Sequence, residues 1–128
     1  MKKLSFSFIL FGILLAGCSK EQIATNATIE FIEPSIGDTF NLADEVHAEG
    51  TITGNGEMHG FTLTITNTTT GALVYEASSQ EHLSNYSFHE HWINNVTDTS
   101  NLQIDIKAIL SHDGTSITKS VDVVCLPQ

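Results

Sequence analysis

The sequence predicts an all-β domain of two antiparallel sheets packed face to face, with seven to eight strands. Three observations carry that prediction. Apolar and polar residues alternate with period two through most segments after residue 27. Thr is the commonest residue and β-branched side chains dominate, which favours pleated strands over helices. Turn residues recur roughly every eight to twelve positions.

The elements follow in order along the chain. "ATIEFIE" places Ile29 and Phe31 on one face, and "PSIGDTFNL" bends at Pro34 and Gly37. "EVHAEGTIT" sets Val46, Ala48, Gly50 and Ile52 against His47, Glu49 and Thr51. "GNGE" reads as an Asn-Gly hairpin turn into "MHGFTLTITN", where His59, Phe61, Leu63 and Ile65 share a face. "TTTG" turns, "ALVYEAS" is a short strand, and "SQEHLSN" is a polar loop. In "YSFHEHWIN" three aromatics, Tyr86, Phe88 and Trp92, take the core side and leave His89 and His91 facing solvent. Glu90 falls among the aromatics, which predicts a position near a sheet margin. After the loop "NVTDTS", "LQIDIKAIL" aligns Leu102, Ile104, Ile106, Ala108 and Leu110. "SHDGTS" supplies an Asp-Gly turn, and "ITKSVDVVCL" brings Ile117, Val121, Val123 and Cys125 into phase. The expected central core is Phe61, Leu63, Ile65, Leu102, Ile104, Ile106, Val121 and Val123.

The strand count and turn spacing resemble those of immunoglobulin-like and fibronectin III-like sandwiches, over residues 27–126. "IEPSIGDTF" is similar to the opening strand of many bacterial immunoglobulin-like domains, where Pro and Gly bend the chain between the sheets. The Cys…Trp…Cys pattern of antibody domains is missing, so the likeness is one of architecture.

The N-terminus carries an address. Lys2 and Lys3 precede an apolar run, "LSFSFILFGIL", that is shorter than the roughly twenty residues a membrane span needs. Leu15-Ala16-Gly17-Cys18 then resembles the lipobox of bacterial lipoproteins. That resemblance implies a signal peptide over 1–17, a lipidated Cys18 as mature N-terminus, a tether over 18–26 and a domain over 27–128. Each buried acyl methylene contributes about 0.8 kcal/mol, enough for two or three chains to anchor the protein. Ser19 stands where an inner-membrane retention Asp would, so the implied location is the outer membrane, facing periplasm or cell surface. "SKEQ" bears a faint likeness to the acidic surface-export tags of Bacteroidetes lipoproteins, with a single acid, Glu21.

Composition removes several functions. There is no Arg, and after residue 17 only Lys20, Lys107 and Lys119 oppose all fifteen acidic residues. Nucleic acid binding requires a basic footprint, so no nucleic acid is expected as partner. With Cys18 lipidated, Cys125 has no intrachain partner and reads as a buried strand thiol. No GxSxG, P-loop or Gly-rich phosphate cradle occurs, and no enzymatic activity is expected.

Six histidines are many for a chain of this size. His89 and His91, at i and i+2 of a strand, are spaced to share one divalent ion, with a third ligand required from elsewhere. His59, His82 and His112 sit in or beside turns at 54–57, 79–85 and 111–116, which share one end if every strand crosses the sandwich. Asp113 stands beside them, so an apical cluster is expected there. The candidate metal set is His89, His91, His59 and His82. No cofactor is demanded, and Zn or Cu suits such ligands. The opposing reading is six polar residues scattered over a Thr-rich surface. The sequence ranks first a non-catalytic, membrane-anchored interaction module whose partner is an envelope protein or glycan. A divalent-metal-binding lipoprotein ranks second.

Overall fold

The computed structural model describes residue 17 and residues 20–127. Cys18, the lipid-attachment candidate, lies outside the described residues. Eight strands form two sheets. They are β1 (Ala27–Glu33), β2 (Thr39–Phe40), β3 (Glu45–Met58), β4 (Phe61–Asn67), β5 (Ala72–Ser79), β6 (Leu83–Ile93), β7 (Ser100–Ile109) and β8 (Ser116–Cys125). The order is β1-β3-β6 in one sheet and β2-β8-β7-β4-β5 in the other. All pairs are antiparallel except β2 with β8, a two-residue parallel edge. The all-β sandwich expected from the period-two pattern is the observed fold.

All eight expected core residues are buried between the sheets. Val46, Ala48 and Ile52 of β3 and Tyr86, Phe88 and Trp92 of β6 close over them from the three-stranded sheet. The chain changes sheets where Pro34 and Gly37 predict a bend. β1 pairs with β3, and five residues later β2 joins β8.

The Asn-Gly hairpin at 54–57 is a correction. Gly54–Glu57 continues β3, and β3 never pairs with β4. The chain crosses instead at His59-Gly60, where Gly60 takes φ +120°. Tertiary contacts outcompete the local turn preference. The Asn55 side-chain oxygen accepts from the Thr25 and Asn26 amides at 2.9 and 3.0 Å, and its amide group donates to the Thr25 hydroxyl. At Gly56 a side chain would stand 2.2 Å from the Gln22 carbonyl. That bare backbone lets residues 22–24 lie against β3, with Glu57 donating to Gln22 and Ala24 donating to Glu57. Gln22–Ala24 are thus fastened to the domain. The consequence for β3 is a different neighbour, β6, which builds the site described next.

Glu90 does lie at a margin. β5 and β6 are the edges where the two sheets meet, and the Tyr75 hydroxyl donates to the Glu90 carboxylate across the gap. That bond, with burial, raises the Tyr75 phenol above its ordinary pKa. An acid on the core face is tolerated because it has this partner.

Candidate metal centre

Residues directly opposite in an antiparallel pair hold their Cβ atoms about 5 Å apart, close enough for side chains to meet. In the β3–β6 pair His47 lies opposite His91, and Glu49 opposite His89. The strand residues between them turn inward to the core, so these four side chains share the outer face. His47, His89 and His91 form a triangle. Ring centroids are 4.5 Å apart for His47–His91 and for His89–His91, and 5.6 Å for His47–His89. Each offers a nitrogen, and the three nitrogens lie within 4.8 Å of one another.

The spacing suits a transition ion. Zn–N bonds of about 2.05 Å in a tetrahedron place ligand atoms about 3.3 Å apart. His47 Nδ1 and His89 Nε2 are 3.3 Å apart. Glu45 straddles the His47 and His91 rings, with Oε2 3.2 Å from His47 Nε2 and Oε1 2.8 Å from His91 Nδ1. An ionised carboxylate only accepts, so both facing nitrogens carry protons. His47 Nδ1 and His91 Nε2 keep their lone pairs, which is how carboxylates orient metal-ligating histidines. Glu49 adds negative charge 4.0 Å from His89 Nε2. All three rings are partly open to solvent, with side-chain exposures of 34%, 52% and 44% for His47, His89 and His91.

Two of these three histidines, His89 and His91, are expected from their spacing. His47 and Glu45 are not among the expected site residues. Their signal was present: "EVHAE" already places His47 and Glu49 on the outer face. It stays hidden because the false hairpin assigns this strand the wrong neighbour.

His59 and His82 belong to a different group. They meet His112 at the end of the sandwich where the β3–β4, β5–β6 and β7–β8 connections converge. His59 lies 4.3 Å from His82 and 3.9 Å from His112 between ring centroids, with 6.0 Å between the outer two. The His59 amide donates to Ile109, which fixes its turn against the end of β7. The loop bearing His82 is held by the Tyr86 hydroxyl, which donates to the Glu81 carbonyl and accepts from the Leu83 amide. Glu57 Oε1 stands 3.5 Å from His82 Nδ1. Burial, then the neighbouring His112 and His82, holds His59 below the ordinary histidine pKa. Glu57 also raises the Glu21 carboxyl, and both acids line the hollow beside His82.

Asp113 is occupied by its own turn. Its Oδ1 accepts from the Ser111 and Thr115 hydroxyls and from the Thr115 amide at 2.9 Å. These bonds hold the carboxyl down at about 2. His89 lies seven positions beyond His82, about 23 Å at strand rise, so the expected set of four histidines divides between two places. Cys125 is buried and free, and burial, with Asp44 nearby, pushes its thiol up to about 11. It stays protonated at neutral pH, as a structural thiol does. Compared with models of known protein families and with curated proteins, the chain finds no match.

Proposed function

We propose that this is a non-catalytic envelope lipoprotein whose domain binds a divalent transition metal on the outer face of its three-stranded sheet. The single observation that carries the reading is the convergence of His47, His89 and His91 from adjacent strands, with Glu45 against two of the rings. His47 supplies the third ligand that His89 and His91 lack in sequence, which reverses the ranking of the two functional readings. Three imidazoles complete a metal site with one position left open for water or an exogenous ligand. Zn and Cu suit this nitrogen set better than Mg or Ca, which prefer oxygen. The lipobox motif supports a lipid anchor at Cys18 and an outer-membrane location. The acidic, Arg-free surface supports cation over anion binding.

Titration of the purified protein with Zn²⁺ and Cu²⁺ tests the reading. Binding is expected at low micromolar Kd or tighter. A His47→Ala/His89→Ala/His91→Ala variant should lose the sheet-face ion, and acidification should weaken binding, because only a neutral imidazole ligates a metal. Sheet-face binding that survives the triple substitution would refute it.

A further inference from the structure

We propose that His59, His82 and His112 form a second transition-metal site, separate from the sheet face, at the apex where three connections and residues 22–24 meet. It would take a borderline ion such as Zn²⁺ or Cu²⁺ through three imidazoles. The inference does not depend on the sheet-face site.

Three observations support it. First, the chain has six histidines, and all six lie in one triad or the other. A surface carrying histidines at random would leave some isolated. Second, the Nδ1 of His59 is buried and has no hydrogen-bond partner among the described residues. Native folds rarely leave such an atom unpaired, and its neighbours here are two more imidazoles. Third, the Glu57 carboxylate stands 3.5 Å from His82 Nδ1, a carboxylate beside an imidazole as at the sheet face.

The apex differs from the sheet face in readiness. His82 meets His59 edge-on at 63° and His112 is tilted at 57°, and their nitrogens do not converge as those of the sheet-face triad do. His82 and His112 are exposed side chains on connections. Rotation of those two about χ1 and χ2 can turn them toward the fixed His59. Glu21 and Glu57 add a negative field beside the site.

The test is Zn²⁺ titration of the purified protein by calorimetry, with ¹⁵N detection of the imidazole resonances. Wild type should bind two equivalents. The variant His47→Ala/His89→Ala/His91→Ala should keep one, and Zn²⁺ should then shift the His59, His82 and His112 nitrogens. The variant His82→Ala/His112→Ala should lose that equivalent and keep the sheet-face one. Both substituted side chains are exposed, so the fold should persist, and circular dichroism checks it. Glu57→Gln should weaken apical binding about 10- to 100-fold. If the sheet-face variant binds no Zn²⁺ tighter than about millimolar, or the three apical imidazoles do not respond, the apical site is refuted. If wild type binds a single equivalent, its removal by His82→Ala/His112→Ala supports the apical site and counts against the sheet face. Its removal only by the sheet-face substitutions refutes the apex.

Discussion

Glu45 determines which nitrogens of the sheet-face triad are free, because its two oxygens claim one ring nitrogen on each of His47 and His91. Glu45→Gln retains the size but offers one acceptor oxygen in place of two. Metal affinity at the sheet face should fall about 10- to 100-fold with no loss of the site itself, read by the same titration. His59 makes a separate prediction, because its folded pKa is lowered. The unfolded chain therefore binds a proton at higher pH than the folded one. The contribution of neutral His59 is fully present above about pH 6.5, and is lost as pH falls from there toward the folded value. Urea unfolding with chelator present should show lower stability at about pH 5.5 than at about pH 7.5. His59→Asn should reduce that difference, and a pH effect unchanged by the substitution would assign it to other groups.

At the scale of elements, legibility followed periodicity. The phases of β4, β7 and β8 were readable because each alternates over five residues or more, with one face buried and the other more exposed. The register has a direct check. Leu63→Ala should cost about 2–5 kcal/mol in unfolding free energy, because it opens a cavity in a closed core. Thr62→Ala, on the other face, should change it by roughly 0.5 kcal/mol or less. Similar costs for both would place the strand one residue out of register. What could not be read was decided by distant chain. Asn55-Gly56 has the local chemistry of a turn, yet residues 22–26 claim its polar groups and its bare backbone. Asn94 was equally silent. It is buried, and its side chain donates to the Asn41 and Leu126 carbonyls at 2.8 and 2.9 Å. Nothing in "WINN" shows that it ties the β2–β3 connection to the chain end.

The whole molecule places its two histidine groups differently with respect to the N-terminus. Gln22–Ala24 are bonded beside Glu57, so the chain enters the domain at the apex with His59, His82 and His112, four positions after Cys18 in sequence. Four residues reach at most about 14 Å. On the lipoprotein reading the apex therefore faces the bilayer closely, while the sheet-face triad looks sideways into the aqueous space. Cys18→Ser should move the protein from the membrane fraction to the soluble one, or leave an unprocessed precursor. A wild-type protein that takes up no lipid label and fractionates as soluble would contradict the anchor. Half of the sheet-face triad's logic was legible, since "HEH" shows its shared face within one strand. The other half needed strand order. Which strands lie side by side depends on the global packing of two sheets, and one misassigned turn was enough to separate His47 from its partners.

The central claim is that His47 completes a three-imidazole site with His89 and His91. It is tested most directly by Zn²⁺ affinity in a His82→Ala/His112→Ala background, where only the sheet face reports, with and without His47→Ala. The account predicts one equivalent bound at low micromolar Kd or tighter, weakened about 100-fold or more by His47→Ala. Equal affinity with and without His47 would contradict it.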